Sequence, residues 1–106
     1  MPKPLYKISF LSNGKVYELY ARRVSSGALW GFIEVAELVF DVRDGVVVDP
    51  VEEQLRDEFA STRVLHLPMQ TVLRVEEVER KGPAAIRDAT TGEKVVTPFP
   101  LPAKPR

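Results

Sequence analysis

Asn13-Gly14 stands between two segments in which apolar and polar residues alternate, Tyr6 to Leu11 and Val16 to Ala21. This dipeptide constrains the chain more than any other feature. A two-residue type I′ turn needs positive φ at both central positions, and Asn followed by Gly meets that need at least cost. The turn fixes the pairing: Ser12 with Lys15, Leu11 with Val16, Phe10 with Tyr17, Ile8 with Leu19 and Tyr6 with Ala21. Tyr6, Ile8, Phe10, Tyr17, Leu19 and Ala21 then share one face, while Lys7, Ser9, Glu18 and Tyr20 share the other. A slip of one residue would exchange the two faces, so the clean sorting supports the register.

Beyond the hairpin, Ser25-Ser26-Gly27 reads as a loop. Leu29 to Phe40 fits both a helical stripe and a strand, and its β-branched and aromatic content with Gly31 favours a long strand bent near Ala36. Arg43-Asp44-Gly45 reads as a turn and Val46 to Val48 as a short strand. Asp49-Pro50 opens a helix: Asp49 caps free amides, Pro50 suits the first turn, and Glu52 stands at the capping-box position. Val51, Leu55 and Phe59 form its buried stripe, leaving Glu52, Glu53, Arg56, Asp57 and Glu58 for water. Arg63 to Leu67 is a strand ended by Pro68, which cannot donate to a ladder. Met69 to Val72 reads as a 3₁₀ turn and Leu73 to Val78 as a further strand. Residues 83–97 are expected to form a terminal hairpin between Ile86 and Val96, and residues 98–106, with four prolines, an extended tail.

The element order gives a mainly β fold with one helix: a small, bent antiparallel sheet closing as an SH3-like barrel, with residues 1–82 as its single core domain. An α+β fold with an open antiparallel sheet is the alternative. Either architecture hosts unrelated functions.

Several stretches resemble a small bacterial family of uncharacterised proteins catalogued as domain of unknown function 1820. They are Pro4 to Lys7 with Phe10, Gly14 to Arg22, Trp30 to Val35, Val48 to Pro50 with Glu52, Glu53, Glu58 and Phe59, Leu67 to Met69, and Arg74 to Val78. The resemblance covers roughly residues 4 to 82. It implies a single cytoplasmic bacterial domain and brings no catalytic residue, ligand or partner with it.

Composition narrows the chemistry. Among 106 residues there is no Cys and one His, which excludes disulfides, thiolate nucleophiles and any site needing two His ligands from one chain. Fifteen Lys and Arg balance fifteen Asp and Glu, which disfavours binding nucleic acid chiefly by counterion release. No segment approaches the length of an apolar membrane span, and Met1 to Tyr6 has no signal-peptide core, so the expected compartment is the cytoplasm. Few side-chain amides (Asn13, Gln54 and Gln70) and many prolines give a weakly thermophile-like composition. No cofactor is expected.

Candidate residues carry two readings each. His66, mid-strand, is a base or partner-facing group in one and a plain exposed side chain in the other. Asp49, Glu52 and Glu53 suit a cation, but helix capping and the helix dipole account for them fully. Tyr20, Arg22, Arg23 and Trp30 have the composition of interface hot spots and of single-strand stacking platforms; in the alternative, Trp30 fills the core and the arginines are solvated. Pro98 to Pro102 suits a polyproline ligand or a disordered end. The first expectation is therefore a non-catalytic protein-interaction module meeting a protein partner or a second copy of itself. Leu11, Val16, Tyr20, Arg22, Arg23, Trp30 and His66 supply its surface, and Asn13, Gly14, Asp49, Pro50 and Pro68 are structural. A nucleic-acid-binding barrel comes second. A carboxylate-based enzyme comes last, because no nucleophile–base pair or phosphate loop is present.

Overall fold

A computed structural model describes residues 3–40 and 49–90. The order is β1 (Leu5–Ser12), β2 (Lys15–Ser25), β3 (Phe32–Val39), α1 (Pro50–Glu58), β4 (Val64–Pro68), a 3₁₀ turn (Met69–Thr71), β5 (Val72–Val78) and β6 (Ala85–Asp88). The β1–β2 hairpin has the expected register from Tyr6 opposite Ala21 to Ser12 opposite Lys15. Its turn has φ +53° at Asn13 and +75° at Gly14. The inner face also sorts as expected, with Ile8 and Leu19 fully buried and Phe10 and Ala21 nearly so.

All pairings are antiparallel, and the sheet runs β4-β3-β2-β1-β5, with β6 added to β2. β2 carries two neighbours along one edge, β6 against Lys15–Glu18 and β3 against Tyr20–Ser25. The extreme strands β4 and β5 are joined by the 3₁₀ turn alone, so the sheet must coil until its ends approach. It does not close: no ladder joins β4 to β5. The closed SH3-like barrel expected from the element order is therefore corrected to an open, strongly bent six-stranded sheet with one helix.

The bends have local causes. β3 turns at Glu37, which holds φ +58°, next to the expected bend at Ala36. Such a conformation is uncommon for a residue with a Cβ and shifts the strand's alternation. Ile33 and Val35 face the core before it, Leu38 and Phe40 after it. β5 is bulged against β1 between the Ser9–Arg74 and Phe10–Val72 pairs, leaving Leu73 extra. The bulge breaks the alternation of Leu73 and Val75, and both are exposed.

The helix begins as its capping pattern dictates. The Asp49 carboxylate accepts from the Val51 amide at 2.8 Å, a cap of about 0.5–2 kcal/mol. Leu55 is fully buried, with Val51 and Phe59 packed on the same core. Phe59 meets Tyr17 edge-on at 6.4 Å, and Tyr17 stacks on Phe10 at 5.3 Å. Burial beneath this roof, helped by Glu58, holds the Tyr17 phenol above its ordinary pKa.

Glu52 departs from expectation. It is 1% exposed, not solvated, and accepts from the Lys81 ammonium at 2.5 Å. Lys81 belongs to the connection from β5 to β6. The connection crosses the sheet and delivers Ala84, Ala85 and Ile86 into burial, so the sheet continues past residue 82. Ala85–Asp88 pairs with β2; the rest of the expected terminal hairpin, the proline tail and the segment Arg43 to Val48 lie outside the described residues.

Two stability predictions follow from these contacts. Gly14→Val should lower the chemical-denaturation midpoint clearly more than Lys15→Ala, because valine at φ +75° costs about 1–2 kcal/mol. Lys81→Ala should cost about 3 kcal/mol by the same measurement, since it leaves the Glu52 carboxylate buried without its ammonium partner.

Candidate interaction surface

The expected cluster of Tyr20, Arg22, Arg23 and Trp30 is split by the fold. Tyr20 is 5% exposed. The β5–β6 connection passes over it: the Lys81 ammonium lies 5.4 Å from its ring centre, and a Cβ at Gly82 would stand 2.8 Å from its hydroxyl. Hairpin register correctly put Tyr20 opposite the inner face, but could not show that a distant segment covers it. Tyr20 is thus removed from the exposed surface. Leu11 is 40% exposed and Val16 half-buried, a smaller apolar area than the hairpin alone suggested. β1, β2 and β3 are all interior strands of the sheet, so a second copy can meet the hairpin and β3 only through side chains and not by backbone pairing.

Arg22 donates to the Lys3 carbonyl at 3.0 Å. Arg23 pairs with Glu34 at 3.5 Å. The registers of β2, β3 and β4 place Ser25 opposite Glu34 and Glu34 opposite His66, so Arg23, Glu34 and His66 share the sheet's outer face. Gly27 lies beside them, and a Cβ there would push the Glu34 carboxylate aside. His66 is exposed, in a row with an acid and a base already paired to each other.

Trp30 lies beyond this row, and it is 95% exposed. The core-filling reading is corrected: the turn before β3 carries Trp30 outward, with Gly31 at φ +81° allowing the chain to re-enter the sheet. The Met69 amide donates to the Gly31 carbonyl at 2.8 Å, and Phe32 lies opposite Pro68. These bonds bring the β2–β3 turn and the 3₁₀ turn into one corner. Leu29 there is 49% exposed and Met69 52%. Sequence reasoning singled out Trp30 but missed Leu29 and Met69, since their adjacency comes from the β3–β4 pairing, which no local pattern announces.

The opposite end of β3 holds different chemistry. Lys3 donates to the Glu37 carboxylate at 2.5 Å. That hydrogen bond is the main reason the Glu37 pKa lies below its ordinary value, and the charges of Lys3, Arg23 and Arg22 act in the same direction. Beside it, an open cleft of about 400 Å³ has an apolar wall of Leu38, Phe40 and Phe59 and a rim that includes Arg56 and Arg63. Asp49 is committed to its cap and Glu52 to Lys81, so the acidic residues at the helix start do not converge. Among the described residues, no group of three or more His, Asp or Glu side chains could hold a metal ion, and no helix is long and apolar enough to cross a membrane.

Over residues 4–101 the chain matches the family described as Domain of unknown function (DUF1820). The chain belongs to this family. The match extends beyond the stretch in which the resemblance was visible and takes in β6 of this DUF1820 domain. No curated protein and no solved structure matches it.

The Glu37 pair gives a signed prediction. A lowered folded-state pKa means a stabilising contribution that is present above the carboxylate's ordinary value of 4.5 and lost as pH falls through the lowered folded value. Lys3→Ala should therefore raise the Glu37 titration midpoint toward 4.5, read by NMR, with Arg22 and Arg23 keeping part of the depression.

Proposed function

We propose that this DUF1820 domain is a non-catalytic protein-interaction module whose contact point is the corner of Leu29, Trp30 and Met69. The exposure of Trp30 carries this reading. A Trp side chain can bury about 150–250 Å², worth about 4–6 kcal/mol at about 25 cal/mol per Å², and this fold collects almost none of it. Contact hot spots are enriched in Trp, and Met adapts to varied apolar partners. The row of Arg23, Glu34 and His66 supplies a polar rim of the kind that surrounds such an anchor. In this reading the module works in the bacterial cytoplasm, which the absence of Cys supports.

Nucleic-acid binding is the second reading, favoured by an aromatic ring standing free for base stacking. Arg23 is paired with Glu34, Arg22 is engaged by the Lys3 carbonyl, and the formal net charge is zero, all of which disfavour it.

Trp30 is the single tryptophan, which makes it both the variant and the reporter. Trp30→Ala should leave the denaturation midpoint within about 0.5 kcal/mol of wild type, as for other surface changes. It should also abolish capture of any protein retained by the immobilised wild-type domain. Adding that purified protein should shift the Trp30 emission to the blue. Equal capture by both forms, or an unmoved emission, defeats the reading. Capture of nucleic acid that falls steeply with salt supports the second reading instead.

A further inference from the structure

β5 is an edge strand: β1 flanks it on one side, and among the described residues no strand flanks it on the other. An unpaired edge offers a row of backbone donors and acceptors, and folded proteins usually protect such rows with proline, lysine or a short strand. The opposite edge, β4, has that protection, being five residues long and ending in Pro68. β5 is seven residues long and holds neither Pro nor Lys; its bulge lies at the Leu73 end. It also exposes two apolar side chains, Leu73 at 57% and Val75 at 43%, beside the exposed Arg74 and Glu77.

The pairing with β1 assigns the faces. Val75 lies opposite Ile8, on the core side, while Arg74 and Glu76 lie opposite Ser9 and Lys7, on the outer side. Two copies of β5 joined edge to edge about a two-fold axis keep corresponding side chains on the same side of the combined sheet. Only registers that centre a residue on its own copy satisfy this. Centring on Arg74 sets Arg against Arg, and centring on Glu76 or Glu77 sets Glu against Glu; like charges directly opposite are destabilising. Centring on Val75 sets Val75 against Val75 on the core side and Arg74 against Glu76 twice on the outer side. Arg74 and Glu76 are 71% and 41% exposed and pair with one another within the strand at 3.3 Å, so the dimer exchanges that one exposed pair for two across the axis.

We infer that β5 pairs antiparallel with β5 of a second copy about an axis at Val75, joining two open sheets into one. This interface is separate from the Trp30 corner and does not depend on it.

Charge reversal and a crosslink test the register. Light scattering of the full chain at high micromolar concentration should give a dimer. Glu76→Arg should give a folded monomer by circular dichroism, because Arg then faces Arg. Adding Arg74→Glu to that variant should restore the dimer, an outcome that a folding defect cannot mimic. The chain has no Cys, so Val75→Cys should form a symmetric disulfide under mild oxidation, since directly paired Cα atoms lie about 4.5–5.5 Å apart. Glu77→Cys should not, and Trp30→Ala should remain dimeric. A monomeric wild type overturns the inference, whether residues beyond 90 or a different protein cover the edge. A dimer indifferent to both charge variants overturns it too.

Discussion

The positive-φ turn at Asn13 and Gly14 is the constraint on which the remaining structure hangs. It sets the register of β1 against β2, and these two strands are the frame for every other strand. β5 attaches to β1, and β3 and β6 share the far edge of β2. A register fixed at the turn decides which side chains of both strands meet the helix and the core. Ile8 and Leu19 are fully buried because they lie opposite one another in that ladder. A misplaced turn would expose both and bury Lys7 and Glu18, so the turn's local preference and the burial of the inner face point to the same pairing.

The second organising contact is long-range. Glu52 from the helix and Lys81 from the β5–β6 connection meet at 2.5 Å with little exposure. Breaking such a pair costs more than forming it gains, because a lone buried charge is left behind. The pair therefore acts mainly as a locator, fixing where the connection crosses the sheet. Its crossing covers Tyr20 and brings Ile86 into the core. The same contact thus explains why one aromatic of the expected cluster is removed from the surface, while Trp30, at the other end of β2 and β3, stays outside.

Two surfaces remain after the core is made, and they differ in kind. The Trp30 corner presents side chains on turns, whereas β5 presents backbone on an edge. A bent sheet produces both. Bending gathers the inner face around Leu55 and Val35, but the ends do not close, so among the described residues β5 keeps an edge without a neighbouring strand and the turn that carries Trp30 stays exposed at the rim.

The sequence alone determined the hairpin, its register, the helix with its Asp49 cap, the bend near Ala36 and the 3₁₀ turn after Pro68, because each rests on preferences within a few residues. It also marked Trp30 as a residue to explain. Barrel closure, the burial of Glu52 and Tyr20, the meeting of Leu29 with Met69 and the open edge at β5 were decided by tertiary structure. Each depends on which strands become neighbours, and segments tens of residues apart settle that by burying shared apolar surface, a non-directional force that leaves no local pattern in either segment.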